Sequence, residues 1–535
     1  MTKQINQKLI IFVSFLLLSF FLRFWTLFVS VLDKDESIYI LIADSLLNNN
    51  LPYIEIWDTK PPGIFILFSL AMLILGNSIV SIRILSIIAT TFTSYFLYMI
   101  GRNIDEKQGE KIGLLAGSLY GIFSLHNDGT AANAEILFAP FVTGAFLLLF
   151  QNQKLSNIKV FLIGIILGMG MQIKYLVIMD VLALVLLGSW LKKAELNKRE
   201  YGKAINNLSA LTKGNFSLVF NHLTFSLLRF YLILGAGIIL PAIIIGTIYH
   251  FSGYFDEYIY ATLMANSKYI GILNFSWSDF LNRLIKQILG NILLWLCFFW
   301  SPIYLFVFAR KKLRQERNLI YLFLWFCCAF LAVLLSKRFY NHYFLQLLPP
   351  LSLISGYVII KSVYLPQKQF NPHIILFLIL IYPFGQAGYN KLTKNWEFIY
   401  YRSIQKIDTW DDREALIAKY LRERIKSTDY IYVVNYQPII YYLVPTKIPT
   451  KYAFPSVLTA LSQILPIDPL QELDKIMAKN PSYILLAEKD NIAPEYRNML
   501  NQYLKANYFR ETTIKNVGLY RRIGLGNREQ GIGNR

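Results

Sequence analysis

Two carboxylates stand side by side at Asp35 and Glu36, in the run VLDKDESIYILIADSLL, just past the first long apolar stretch. Lys60 follows in IWDTKPPGIFIL, immediately before two prolines. A carboxylate so placed can act as general base for an incoming hydroxyl or amine. A Lys-Pro-Pro turn enforces extended backbone and suppresses helix before the prolines. Its lysine is thereby an aimed ammonium, suited to binding a phosphate as a point charge. Plainer readings exist: adjacent acids solvate loops, and a lysine at a helix start snorkels toward water. Position argues against them. The flanking apolar residues put the carboxylates near lipid headgroups, where a bare negative charge is costly and is repelled by anionic lipids.

Three further clusters share this character. In HNDGTAANAEILF, Glu135 opens an apolar stretch, with His126 and Asp128 shortly before it. Glu135 suits the positive end of a helix dipole; as a functional group it would join Asp35 to hold a metal or to raise one carboxyl for acid–base work. In SKRFYNHYFLQLLPPLSLISG, Lys337, Arg338 and His342 gather before another apolar stretch. They suit an anionic lipid phosphate, the arginine through two-point contact; contact with ordinary headgroups is the simpler alternative. Lys174, beside Tyr175, is a weaker candidate of the same kind.

These residues need elements to position them, and composition says which. The chain is 55% hydrophobic and only 16% charged, against roughly a quarter charged in a soluble domain. This is the composition of a polytopic membrane protein. The net charge of +20 resides mainly in loops between apolar runs, the positive-inside pattern, so nucleic acid is not an expected partner. Cys297, Cys327 and Cys328 lie inside apolar runs and form no disulfide framework or metal pair. The first apolar stretch, 9–32, is too long for a signal-peptide core and lacks a small-residue cleavage site, so it is expected to be a retained helix carrying Arg23.

Apolar runs predict spans near 9–32, 79–101, 112–126, 135–150, 160–173, 176–190, 231–250, 287–309, 319–335, 343–360 and 373–388, about eleven crossings. The shorter run 63–76 reads as an interfacial or re-entrant helix. With a cytoplasmic N-terminus, the basic segments Arg102–Lys111, Lys192–Arg229 and RKKLRQER at 310–317 fall inside. The same parity puts Asp35, Glu36, Lys60, Glu135, Asp256, Glu257 and Lys337–His342 on the outer face. Convergence of ionisable groups on one boundary is a functional-site signal. The expected organisation is a transmembrane domain at 1–388, a small extracytoplasmic α/β domain at 389–522 with strands in DYIYVV and SYILLA, and a disordered tail at 523–535.

In this order, DESIYILIADSLL, KPPGIFILFSLAMLILGNSIVSIRILS, AANAEILF, NHYFLQLLPPLSLISGY and YIYVVNYQPIIYYLVPTKIPTKYAFPS resemble family thirty-nine membrane glycosyltransferases of the GT-C fold. That family includes protein O-mannosyltransferases and the aminoarabinose transferase that modifies lipid A. The resemblance implies inverting transfer of a sugar from a polyisoprenyl-phosphate donor to an extracytoplasmic glycolipid, cell-envelope glycan or protein. It implies that Asp35, with Glu36 beside it, is catalytic, that Lys60 meets the donor phosphate, and that Glu135 takes the place of the acid opening the fourth span. Lys337 or Arg338 would then help stabilise the leaving phosphate. A monophosphate leaving group demands less of a metal than a pyrophosphate, so a divalent ion stays optional. Thr59 and Ile38 depart from the aminoarabinose transferases, which carry glutamate and arginine at those places; lipid A aminoarabinose transfer is therefore not the expected reaction. A rival from another class is a transporter or flippase for a lipid-linked saccharide. It would place polar groups near the midplane, in broken helices at matching places of two halves, and the sequence has no such symmetry.

Overall fold

The computed structural model describes residues 2–151, 155–206, 216–272, 274–308, 316–363, 395–487 and 492–524. Among them, six segments are long and apolar enough to cross a membrane: Asn6–Phe28, Ile79–Ile104, Tyr175–Glu195, Thr224–Phe251, Arg317–Leu335 and Asn341–Val363. A seventh candidate is a helix pair, Trp277–Gly290 and Ile292–Phe306, bent by 97° at its break. The chain is a multi-pass helical membrane protein. The stretches expected to span at 112–126, 135–150 and 160–173 form helices Gly109–Phe123, Ala134–Phe150 and Asn157–Met171, of 15, 17 and 15 residues. All are shorter than the roughly 20 residues of a perpendicular crossing. The expected span at 373–388, most of RKKLRQER and the tail beyond 524 lie outside the described residues.

Local chemistry sets the elements that carry the candidate residues. Asp33 caps helix Lys34–Leu47, its side chain accepting the Asp35 amide at 2.9 Å. Asp35 and Glu36 then fall in the first turn, where negative charge suits the exposed amides. Helix Gly63–Leu75 starts directly after Pro61 and Pro62, residues whose missing N–H groups cost nothing at a helix start. It ends at Gly76, whose φ of 98° a side chain would resist.

The chain divides into two compact units, each assembled from separate stretches. One comprises Met1–Phe24, Ser86–Ile248 and Asn274–Asn390. Its helices approach to backbone contact where glycines permit: a Cβ on Gly164 would lie 2.4 Å from the Leu234 carbonyl, and one on Gly168 the same distance from that of Ile238. Helices Asn157–Met171 and Phe216–Phe251 thus meet along a small-residue seam of the kind used in membranes. A satisfied polar node lies deeper. Trp325 donates its indole N–H to Asp180 at 2.8 Å, Gln346 donates to the other Asp180 oxygen at 2.6 Å, and Phe146 stacks on Trp325 at 3.8 Å.

The second unit comprises Trp25–Leu85, Tyr249–Leu273 and Lys391–Arg535. It contains a four-stranded sheet: β1 (Ile431–Val434), β2 (Tyr483–Ala487), β3 (Tyr508–Ile514) and β4 (Val517–Arg522), in the order β1-β2-β4-β3. The pair β1–β2 is parallel; β2–β4 and β3–β4 are antiparallel. Lys515 and Asn516, both left-handed with φ of 43° and 69°, close the β3–β4 hairpin, the backbone that a two-residue hairpin turn requires. Helices Arg413–Arg422, Pro469–Ala478 and Pro494–Asn507 accompany the sheet. The first two are capped by Asp412 and Asp468.

Candidate active site

The second unit brings Asp35 and Lys60 together. The Lys60 ammonium lies 3.6 Å from Asp35 Oδ2, and both side chains keep about a fifth of their surface open, 21% and 23%. Tyr39, one helical turn beyond Asp35, donates its hydroxyl to the same Oδ2 at 3.3 Å. A helix N-terminus and a proline-stiffened loop thus converge on one ion pair.

The loop itself is pinned on several sides. Asp58 accepts the amides of Thr59 and Lys60 at 2.5 and 3.2 Å. Tyr53 donates to the Lys60 carbonyl at 2.6 Å, and Asn266 to the Thr59 carbonyl at 2.7 Å. Asp58 is 4% exposed, and its second carboxyl oxygen has no hydrogen-bond partner among the described residues. Burial pushes the Asp58 carboxyl up, against the lowering pull of Lys60. Burial alone would lower Lys60, but the surrounding Tyr39, Asp35 and Asp58 side chains more than offset it and hold the ammonium well above its usual range. Burial and the neighbouring Asp35 push the Tyr39 hydroxyl well up, so it stays a donor. The arrangement offers a fixed cation, an accessible carboxylate and a neutral hydroxyl.

Glu36 turns away from this group. It is 1% exposed and ion-paired with Arg83, itself fully buried. Arg83 also donates to the carbonyls of Thr26 and Val29 at 3.2 and 3.3 Å. The neighbouring acids thus have separate surroundings, and Glu36 is tied to helix Ile79–Ile104 rather than set beside Asp35. Sequence reading passed over Arg83, Asp58 and Tyr39. A lone arginine in the apolar run IVSIRILS was the available signal for the first. For Asp58 the signal was an aspartate two residues before the lysine, the spacing of an Asx turn.

A cleft of about 340 Å³ in the same unit is lined by Tyr53, Trp57, Tyr260 and Tyr452, with Asp256 and Glu257. Trp57 is held to the Lys451 carbonyl by its amide at 2.8 Å, and Tyr260 donates to the Ile464 carbonyl at 2.9 Å.

The remaining expected residues belong to the first unit. Glu135 is buried and ion-paired with Lys174, whose ammonium also sits 3.8 Å from the centre of the Tyr343 ring. This pairing gives Lys174 a firmer place than its sequence context did. Lys337 and Phe339 both have left-handed backbone, φ 54° and 50°, so the Lys337–Phe339 segment forms a tight strap with Arg338 at its middle. His342 lies between Tyr340 and Tyr343, at ring separations of 5.7 and 4.8 Å. Among the described residues, no group of three or more His, Cys, Asp or Glu side chains is placed to hold a metal ion.

The family model for dolichyl-phosphate-mannose-protein mannosyltransferases matches residues 59–205. The fold is similar to the crystal structure of ArnT from Cupriavidus metallidurans in the apo state, with TM-score 0.56 and 12% identity over 97% of this chain and 98% of that one. The same protein bound to undecaprenyl phosphate gives TM-score 0.54, with the same identity and coverage. The Archaeoglobus fulgidus oligosaccharyltransferase, in complex with zinc and sulfate, is a weaker likeness, with TM-score 0.49 and 14% identity over 96% of this chain and 73% of that one. No curated protein sequence matches the chain. At such identities the likeness is one of fold.

Proposed function

We propose that the chain, which matches the mannosyltransferase family model over residues 59–205 and shares the fold of ArnT, transfers a sugar from a polyisoprenyl-phosphate donor to an acceptor outside the cytoplasm. The observation that carries this reading is the Asp35–Lys60 pair at 3.6 Å, a carboxylate and a cation held by separate rigid elements. Lys60 binds the donor phosphate as a point charge. Asp35 takes the proton of the acceptor hydroxyl or amine as it attacks the anomeric carbon. The new bond to carbon forms as the bond to the phosphate oxygen breaks. The lipid phosphate departs with the electron pair, its charge met by Lys60, and a single displacement inverts the anomeric centre. Asp58 aims Lys60 through the loop amides, and Glu36 acts through Arg83 to hold the first turn that carries Asp35. Lys337, Arg338 and His342 contact the anionic headgroup of a lipid substrate, and Glu135 holds Lys174 in place. The aromatic and acidic cleft suits a hydroxyl-rich acceptor, and the sugar moved is a hexose or pentose.

The same reading takes about eleven crossings, a bilayer-spanning part at 1–388 and an α/β part at 389–522 on the extracytoplasmic face. Support comes from the positive-inside distribution and the strand-containing C-terminal region. Purified Asp35→Asn protein, supplied with an undecaprenyl-phosphate-linked sugar and cell-envelope acceptor, is expected to lose transfer by about 10²- to 10⁴-fold. Transfer at the wild-type rate would overturn the assignment. A membrane-impermeant thiol reagent should label a cysteine at position 35 in intact cells; labelling only after permeabilisation would refute the outer placement.

A further inference from the structure

Among the described helices, Trp277–Gly290 is the most amphipathic, and it does not continue into the span that follows. In WSDFLNRLIKQILG, the residues at successive four-residue steps are Trp277, Leu281, Ile285 and Leu289. That spacing aligns them on one side of a helix. All four are open, with exposures of 68, 48, 53 and 61%. Asp279, Arg283 and Lys286 occupy the opposite arc of the same helix. Such a stripe cannot face water without a large cost. It differs from the inward face, where Phe280 is buried against Phe339 and Phe330 at ring separations of 5.0 and 6.1 Å.

The break decides what covers the stripe. The next helix, Ile292–Ile303, is apolar and exposes Leu296, Phe299 and Ile303, as a lipid-facing span does. The two helices meet at 97°. When the second stands along the membrane normal, the first lies in the membrane plane. Fourteen residues make a rod of about 21 Å, the form of an interfacial helix with apolar residues down and basic residues up. Arg283 and Lys286 exceed Asp279 in charge on the polar side, which complements anionic headgroups. We infer that helix Trp277–Gly290 lies in the surface of the bilayer, with Trp277, Leu281, Ile285 and Leu289 seated among the upper acyl chains. Its occupant is the lipid interface itself. Through Phe275 and Phe280 it also packs on Phe339, at ring separations of 5.3 and 5.0 Å, and so holds the Lys337–Phe339 strap at headgroup depth. The inference rests on the membrane fold and is independent of the reaction proposed above.

Nitroxide labels placed singly at 281, 285, 279 and 286 test this, in full-length protein carrying Cys297→Ala, Cys327→Ala and Cys328→Ala in nanodiscs of phosphatidylethanolamine and phosphatidylglycerol. Labels at 281 and 285 should collide with oxygen and be shielded from a water-soluble nickel chelate; those at 279 and 286 should show the reverse. Access of the chelate to 281 and 285 would overturn the inference. So would shielding of both from oxygen and chelate alike, which would mean a protein partner covers the stripe. Should the cysteine-free background fail to fold, the native cysteines can stay. Bromolipid quenching of the wild-type protein minus that of Trp277→Phe isolates Trp277. Bromines near the headgroup end of the chain should quench it several-fold more than bromines near the methyl end; equal or absent quenching would overturn the placement.

Discussion

Asp35 and Glu36 show how differently two neighbours can be used. One faces an ammonium at a partly open surface, and the other is sealed against a guanidinium. Lys60 makes a sharp test at this scale. Because the acids around it hold its ammonium well above the usual lysine range, it stays charged at every pH below that raised value. Binding of undecaprenyl phosphate should therefore stay flat between neutrality and about pH 10, close to the ordinary lysine value. Lys60→Ala should weaken binding by about 10-fold or more across that whole range, in line with loss of a charge-assisted contact. An alkaline fall in wild-type binding that Lys60→Ala abolishes would contradict the raised ammonium. The pairing of Asp35 with Lys60 was within reach of the sequence because both residues stand out chemically from their apolar flanks. The direction of Glu36 was not: adjacent positions on a helix point about 100° apart, and only packing shows which one turns inward.

At the scale of elements, helix Lys34–Leu47 depends on a partner from helix Ile79–Ile104. Arg83→Met leaves Glu36 buried without its ion-pair partner and should cost about 3–5 kcal/mol. The double variant Glu36→Gln with Arg83→Met should recover much of that loss. Thermal unfolding of the three proteins in one detergent, read as a double-mutant cycle, checks both statements. The glycine seam gives a second test. Gly164→Leu drives a side chain into the Leu234 carbonyl and should separate the two helices, seen as a marked drop in the monodisperse fraction by size-exclusion chromatography. An outward-facing change such as Ile158→Leu, at 70% exposure, should leave that fraction unchanged. Apolar length made the long helices legible. It could not set the number of crossings, because helices of 13 to 17 residues fall between a core helix and a span. The continuous reading of 287–309 also missed the break at Gly290–Asn291, since hydropathy carries no information about direction. Strands β1 and β2 were visible as short β-branched and aromatic runs. Hairpin β3–β4 was not, because FRETTI and GLYRR mix charge with apolar residues and resemble solvated loop.

At the scale of the whole molecule, each unit is closed by contacts between distant parts of the chain. In the second unit, Asp412 accepts the Ser30 hydroxyl at 2.5 Å and its amide at 2.9 Å, and pairs with Arg402 at 2.9 Å. Burial works to raise Asp412. The donors from Ser30, the Ala415 amide and Arg402 prevail and hold it below the usual carboxylate range. A group depressed in the folded state stabilises above its unfolded value, near 3.9, and loses that contribution as pH falls through the lower folded value. Asp412→Asn should therefore cost about 1–3 kcal/mol at pH 7. The gap between the two unfolding midpoints should close as pH falls below about 4. A gap independent of pH would show that the carboxylate charge is not what matters. No reading of the sequence linked Ser30 to Asp412: they stand hundreds of positions apart, and neither lies in a motif.

The 3.6 Å contact between Asp35 and Lys60 also bears on the site at rest. A carboxylate whose negative charge is already answered by an ammonium is a feeble proton acceptor. In a transferase, a lipid phosphate competes for that ammonium, and its arrival frees the carboxylate. Loading the donor would then arm the base, and a stray water reaching the idle site would find nothing ready to activate it. Order of addition, donor first and acceptor second, would follow from one ionic latch without any moving lid.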